Sequence, residues 1–306
     1  MNSRKVRQIV LPLITAMIWG SSFVTQSLSA GHIGCFSFGT MRAVPAALFL
    51  FLLVCVMRRL HPREKYSAEQ KKTLLRAGLI CGTLLTAAIS FQQFGLESTS
   101  AGKAGFISAL YIVLVPVFGM FFGKKTSGRV WLFVAVAVAG LYFLCVNGED
   151  GAGFSRGDLS VFLCAVLFAF QIIAVDHYVG KVDGIELSCA QFVVMAVLSF
   201  LCSLIAGERT TLEAVKTCLP YILYTGIFSS GVAYTLQIIA QKDGEATVVS
   251  LLLSLESFFA VMSGAIFLHE RMSVREYFGC ALMLAAVLLS QLPEKSAKAV
   301  ESHEKP

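Results

Sequence analysis

Long apolar segments separated by short polar connections run from one end of the chain to the other. Most of them are about 18–23 residues long, and roughly 20 apolar residues in a helix cross the hydrocarbon core of a bilayer. This pattern predicts an all-α integral membrane protein with ten transmembrane helices, at residues 9–30, 35–57, 74–95, 103–122, 130–147, 158–177, 187–206, 219–240, 246–268 and 274–292.

The two halves of the chain align with one another. An offset of 149 residues pairs Trp19 with Phe168, and an offset of 145 pairs Gln92 with Gln237. Each half holds five spans, so the second repeat must enter the membrane in the opposite orientation. Secondary transporters built from inverted repeats hold their substrate near the midplane, between the halves. The predicted parts are a cytoplasmic N-terminus (1–8), a first five-helix repeat (9–147), an outer connecting loop (148–157), a second five-helix repeat (158–292) and a cytoplasmic tail (293–306).

Composition and charge agree with this interpretation. Hydrophobic residues make up 56% of the 306 positions and charged residues 14%, whereas soluble domains carry about 25% charged residues. With the N-terminus inside, the cytoplasmic segments hold 18 Lys and Arg residues and the outer segments hold six. This excess predicts cytoplasmic termini, so the net charge of +6 reports topology and indicates no nucleic-acid partner.

No metal, cofactor or catalytic motif is predicted. The nine cysteines include no C-x-x-C pair and are expected to be packing residues. His269 lacks the second histidine of a zinc-protease motif, and the chain has no G-x-x-x-x-G-K-[ST] loop for ATP. An enzyme would also need a nucleophile, a base and an acid at one membrane depth. Only Glu256 and Arg42 lie deep inside spans.

Glu256 is the strongest candidate for a transport role. It lies near the middle of the uncharged stretch 246–268, where an ionised side chain costs at least about 2.5–3.5 kcal/mol. A carboxyl that gains and loses a proton as its surroundings alternate would couple transport to protons. The alternative is a protonated glutamate that fastens the bundle by a hydrogen bond, and the sequence does not decide between them.

Arg42 is the second deep ionisable residue, about 10 Å along its span from the outer end. Glu256 lies about 15 Å from the inner start of its own span, so the two depths allow a pair. Arg42 could instead snorkel outwards or hold helices together. Its partner in the repeat is Gln191, which confines any charge function to one half.

Amide and aromatic side chains complete the predicted site. Buried amides need hydrogen-bond partners, so these residues either line a shared cavity or join helices. Aromatic rings with polar tips suit a cationic or amphipathic solute, although ordinary packing also explains each of them. The candidates are Gln92, Gln237, Gln171, Trp19, Tyr111 and Tyr234.

Proline and glycine mark candidate hinges and close helix contacts. Pro45 and Pro116 lie within spans, where each removes a backbone donor and tends to kink the helix. Two G-x-x-x-G pairs, Gly78 with Gly82 and Gly119 with Gly123, predict close helix approach.

Four segments resemble the EamA-type drug/metabolite transporter superfamily: "AMIWGSSFV", "FGTMRAVPAALFLFLL", "AGKAGFISALYIVLVPVFG" and "LLLSLESFFAVMSGAIFLHERMS". The resemblance spans roughly residues 9 to 292 and implies ten helices in two five-helix repeats that export or import small metabolites. The family often has proline after the glutamate of the ninth span. This chain has Ser257 there, so the kink that the resemblance implies would be absent.

Together these features predict a secondary active transporter of small organic metabolites in a bacterial cytoplasmic membrane. Its mechanism would be alternating access, coupled to protons through Glu256. Amino acids or related compounds, and export, are suggested by the resemblance alone. The alternatives are a flippase for a lipid-linked solute and an accessory membrane subunit. A homodimer is left open.

Overall fold

The computed structural model describes residues 3–61, 66–99, 101–124, 126–145, 155–267 and 273–290. Within these ranges every regular element is a helix. The helices are α1 (Ser3–Ser29), α2 (Cys35–Leu60), α3 (Ala68–Leu96), α4 (Ala101–Ala109), α5 (Tyr111–Phe121), α6 (Gly128–Cys145), α7 (Arg156–Tyr178), α8 (Gly184–Ile205), α9 (Leu212–Leu223), a π-helical segment (Tyr224–Ala233), α10 (Tyr234–Asp243), α11 (Ala246–Leu253), α12 (Glu256–Phe267) and α13 (Val274–Ser290).

Eight helical stretches among the described residues are long and apolar enough to cross a membrane. They correspond to eight of the predicted spans, and α4 with α5, α9 with α10, and α11 with α12 each form one stretch. The fifth and tenth predicted spans fall on α6 and α13, whose apolar parts, Gly128–Phe143 and Tyr277–Ser290, are shorter. Residues 148–154, the predicted tail and His269 lie outside the described residues. The eight long apolar stretches show that the protein is a multi-pass membrane protein.

The bundle is apolar outside and partly polar inside. Leu48, Leu52 and Ile205 are more than half exposed, whereas the amides of Gln171 and Gln237 are fully buried. A soluble monomer rarely exposes so much apolar surface. Such an apolar exterior is suited to contact with lipid.

Helices of the first half, α1–α6, pack on helices of the second half, α7–α13. The main pairs are α2 with α8, α3 with α7 and α8, α6 with α13, and α1 with α10 and α12. The middle of the bundle is thus built from both halves of the chain.

Two of the membrane-crossing stretches are interrupted. A tight turn at Leu110 separates α4 from α5, and its amide donates to Ile107 O (3.2 Å). An equivalent turn separates α11 from α12, where the Leu255 amide donates to Leu252 O (3.3 Å). Both are i→i−3 bonds of the 3₁₀ type, which commonly tighten helix ends.

With Ser257 in the place of proline, the sequence predicts that the kink of the ninth span is absent; the span is nevertheless interrupted between Leu253 and Glu256. The interruption precedes Glu256 and forms without proline, because backbone i→i−3 bonds are enough to tighten the turn. Ser257 has a contact of its own: its hydroxyl donates to Gly105 O (2.9 Å) and ties α12 to α4.

The two prolines do not interrupt their helices. α2 continues through Pro45 and α5 through Pro116. Their role as hinges stays a prediction.

The two glycine pairs differ. A Cβ on Gly78 or Gly82 would lie 2.6 Å from a side chain of α8, so close helix approach is confirmed for this pair. Among the described residues, a Cβ on Gly119 would meet only Lys124 Cβ, at 3.7 Å. Gly123 has a φ of +77° and follows the end of α5, so the second pair ends a helix, and the prediction of packing was wrong there.

We predict that Gly20→Ala destabilises the protein by about 1–3 kcal/mol, since inserting atoms into a packed core strains it. A Cβ on Gly20 would lie 2.6 Å from Glu256 O and 2.7 Å from Ala260 N, so α1 and α12 must separate. Thermal unfolding in detergent would measure the loss. Gly105→Ala is the control, because within the described part of the chain its Cβ would meet only Ser257 Oγ, at 3.8 Å. Equal melting temperatures for the two variants would contradict the prediction.

Candidate solute cavity

A small cavity lies between the two halves. All eight side chains predicted to bind solute or to couple transport line it. They are Trp19, Arg42, Gln92, Tyr111, Gln171, Tyr234, Gln237 and Glu256, and the remaining lining residues are Ser22, Phe23, Gln26, Phe168, Ile172 and Ser229.

Glu256 and Tyr111 occupy matching positions at the helix interruptions. Glu256 is the first residue of α12 and is 5% exposed, and Tyr111 is the first residue of α5. The Tyr111 hydroxyl lies near the Glu256 carboxyl but outside hydrogen-bonding geometry. Among the described residues, this hydroxyl has no hydrogen-bond partner. Two buried polar groups therefore face the cavity with capacity for further hydrogen bonds.

Arg42 is buried by contacts with both halves. Its Nη1 donates to Gln26 Oε1 (3.0 Å) on α1. Its Nε and Nη2 donate to the hydroxyls of Ser230 (3.0 Å) and Ser229 (3.1 Å) in the π-helical segment. The guanidinium is thus held from two sides by neutral acceptors.

The π-helical segment supplies both serines and is itself anchored by α1. Trp19 Nε1 donates to Ser229 O (3.2 Å), and Thr15 Oγ1 donates to Ala233 O (3.2 Å). π-Helical turns are rare and occur often at functional sites. Here the wider turn presents two consecutive serine hydroxyls to one side chain, Arg42.

Four buried glutamines form a chain that leads away from the cavity. Gln171 Nε2 donates to Gln191 Oε1 (3.3 Å), and Gln237 Nε2 donates to Gln171 Oε1 (3.3 Å) and Gln241 Oε1 (3.1 Å). Gln237 Oε1 and Gln191 Nε2 have no partner among the described residues. The chain therefore keeps an acceptor free at the cavity wall.

Aromatic rings close the remaining sides. Trp19 and Tyr234 lie with ring centroids 4.6 Å apart, and Tyr111 and Phe168 lie 6.5 Å apart. The cavity thus combines apolar walls with a guanidinium, a carboxyl and amides.

The possible pair of Arg42 and Glu256 is not formed. Both line the cavity, but within the described residues no carboxylate oxygen lies within 4.0 Å of the guanidinium. Arg42 does not snorkel to the surface either, since it is 2% exposed. Its alternative role as a packing residue is compatible with its three hydrogen bonds.

Sequence reasoning missed Gln26 and Ser229. Gln26 follows Trp19 by seven residues and shares its helix face with Ser22 and Phe23, so the spacing i, i+3, i+4, i+7 was a usable signal. For Ser229 we find no such signal, because its direction depends on the π-helical turn.

Three ion pairs among the described residues join the two halves at one end of the bundle, where α1 and α8 begin and α2, α7 and α10 end. We call it the basic end. Each carboxylate is mostly buried and each cation is at least half exposed. The pairs are Arg7–Asp243 (3.4 Å), Arg58–Glu186 (2.9 Å) and Lys124–Asp176.

A carboxylate joins the halves at the opposite end. Glu208, between α8 and α9, accepts from the amides of Phe36 (3.1 Å) and Ser37 (2.7 Å) at the start of α2. Partial burial and the negative charge of Glu208 raise the pKa of Glu97, which lies just beyond α3. Polar contacts therefore close the bundle at both ends.

Comparisons with known proteins agree with this architecture. A sequence profile described as the EamA-like transporter family matches residues 7–146 and again residues 155–292. A protein of Archaeoglobus fulgidus named "Uncharacterized transporter" is 28% identical, over 91% of this chain and 84% of its own. "Uncharacterized inner membrane transporter YedA" of Escherichia coli (strain K12) is 23% identical, over 94% and 93%.

A solved crystal structure shares the fold. It superimposes with a TM-score of 0.76 over 92% of this chain and 96% of its own, at 17% identity. The profile covers nearly the whole chain, and the helices are those of a multi-pass membrane protein. The chain belongs to the EamA-like transporter family.

Proposed function

We propose that the protein is a secondary active transporter that moves small organic solutes, such as amino acids or related compounds, by alternating access. The observation that carries the proposal is the convergence of the rare polar residues of its apolar spans on one cavity between the halves. Polar residues inside membrane spans are costly, and they commonly mark substrate and ion pathways.

An inverted repeat is supported by the lining of the cavity. The same two offsets that align the halves pair five lining residues of the first half with five of the second. The pairs are Trp19 with Phe168, Ser22 with Gln171, Phe23 with Ile172, Gln92 with Gln237, and Tyr111 with Glu256.

The helix packing and the family match support the same domain division. α2 packs on α8 and α6 on α13, and in the proposed repeat each pair consists of equivalent helices. The contact of α3 with α7 likewise has its equivalent in that of α10 with α1. The family profile matches the chain twice, once in each half. We therefore propose ten helices in two inverted repeats of five, at 9–147 and 158–292, in which α6 and α13 are the fifth and tenth spans.

Alternating access requires contacts between the halves that open in turn. The three ion pairs at the basic end and the Glu208 contact at the opposite end join the first half to the second. Opening one end would break one set and leave the other in place. By the distribution of Lys and Arg, the basic end is cytoplasmic.

Glu256 is the proposed site of proton coupling. Its carboxyl begins a half-helix at the cavity and has Tyr111 beside it, with no cation within 4.0 Å in the described part of the chain. Movement of the halves would change the hydration of this carboxyl and hence its affinity for a proton. Export from a bacterial cytoplasm is the direction that we propose.

The flippase alternative has one observation in its favour. A wide, mostly apolar groove lies near the opposite end, and its lining residues include Phe91, Phe94, Leu198, Glu97 and Glu208. A lipid chain would fit such a groove. The central cavity, however, is lined by amides and charged groups that a lipid tail does not need, which favours a polar solute.

We expect Glu256→Gln to abolish solute-driven proton flux, because an amide cannot bind and release a proton at this position. The assay uses purified protein in liposomes, with a panel of amino acids and small metabolites. Glu245→Gln is the matched control, since Glu245 is an exposed residue before α11. Unchanged flux in Glu256→Gln would make Glu256 a structural residue.

We expect Glu186→Gln to open the basic end more often, because it removes the partner of Arg58. An ion pair of this kind contributes at most about 1 kcal/mol, so the expected rise in accessibility is about two- to five-fold. The readout is the rate at which a polar thiol reagent modifies Gln241→Cys in a variant lacking the other cysteines.

Exchanging the two charges, Arg58→Glu with Glu186→Arg, should return this rate towards its original value. Glu213→Gln, which changes an exposed carboxyl of α9, is the control for charge alone. A rate that does not rise in Glu186→Gln would argue against a gate at the basic end.

A further inference from the structure

The Arg42 guanidinium is a buried cation without a counter-ion among the described residues. Its hydrogen-bond acceptors are the amide oxygen of Gln26 and the hydroxyls of Ser229 and Ser230. These use three of the five guanidinium N–H groups. The other two have no acceptor in the described part of the chain, and the side chain lines the cavity.

An isolated buried charge is expensive. Breaking a buried ion pair by removing one partner leaves an uncompensated charge that is strongly destabilising. Neutral hydrogen bonds reduce this penalty but do not cancel it. Because the Arg42 side chain lines the cavity, a negatively charged group bound in the cavity would balance it.

We infer that the cavity binds a carboxylate group of the transported solute on Arg42, and that Gln26, Ser229 and Ser230 are positioning residues for the guanidinium. This inference rests on the proposed transport function and adds a chemical requirement to it. Arg42 touches the solute, whereas the other three act through Arg42.

A single carboxylate fits better than a phosphate. The planar guanidinium matches a carboxylate in a bidentate arrangement, and it matches a phosphate equally well. Glu256 lines the same cavity, however, and its carboxyl group would repel a doubly charged anion more than a singly charged one. The solute then balances Arg42 with its carboxylate and leaves Glu256 available for a cationic group or a proton.

The contacts of Gln26 suggest a variant that supplies the missing charge from within. Glu at position 26 has nearly the same shape as Gln, and Gln26 Oε1 already accepts from Arg42 Nη1 at 3.0 Å. In Gln26→Glu, the new carboxylate should therefore form an ion pair with the Arg42 guanidinium. It should raise the melting temperature of the protein without ligand and remove its response to carboxylates.

The experiment measures thermal unfolding of the purified full chain with a panel of L-amino acids, each beside its own amide, which lacks the carboxylate. We expect wild type to bind at least one acid about ten-fold more tightly than its amide, because charge-assisted bidentate bonds are lost in the amide. Arg42→Gln and Gln26→Glu should both lose this preference. Gln92→Glu adds the same charge elsewhere on the cavity wall. Its melting temperature should not rise above that of wild type.

Several outcomes would overturn the inference. Equal stabilisation by acids and amides would do so, as would no stabilisation by any acid. A fall in melting temperature in Gln26→Glu would show that the guanidinium does not need a counter-ion. Flux in liposomes separates the two proposals. Transport that survives in Arg42→Gln with the same preference for acids refutes the carboxylate site alone, whereas binding of acids without transport refutes the transport function alone.

Discussion

A polar group inside a lipid-facing bundle can find partners only in the protein, in trapped water or in a solute. This constraint explains the interior of the molecule. Leu48 and Leu52 can face lipid, but Gln171, Gln237 and Arg42 cannot, and they turn towards the middle. Gln237 donates a hydrogen bond to Gln171, but Gln237 Oε1 has no partner in the described part of the chain. A cavity suited to a polar ligand follows from this incomplete satisfaction.

Helix interruptions also bring polar groups to the central cavity. At Leu110 and at Leu255, i→i−3 bonds tighten the chain just before Tyr111 and Glu256. The helix that follows each turn therefore begins at the cavity, and its first residue, Tyr111 or Glu256, lines the cavity. The interruption at Leu255 needs no proline, and Ser257 instead holds the neighbouring helix through Gly105.

The sequence allowed prediction of the helices and of the residues around the cavity for one physical reason. Burying Glu256, Arg42 or Gln92 in an apolar span costs free energy wherever the side chain faces lipid. Each such residue is therefore expected to face the interior of the bundle. Gln26 could have been found by its spacing from Trp19. The direction of Ser229 and the turn at Leu255 could not, because tertiary contacts and not local preference decide them. Likewise, the offset between the two halves predicted that Gln92 and Gln237 correspond, but not that Arg42 would have no carboxylate oxygen within 4.0 Å among the described residues.

The two ends of the bundle are closed by different kinds of contact. At the basic end, cations that are at least half exposed, such as Arg58, directly contact carboxylates that are mostly buried. At the opposite end, Glu208 is bound to backbone amides that carry no net charge. Dissolved ions screen the first kind of contact much more than the second. The ionic strength on each side of the membrane therefore acts unequally on the contacts at the two ends, and concentrated electrolyte weakens those at the basic end more.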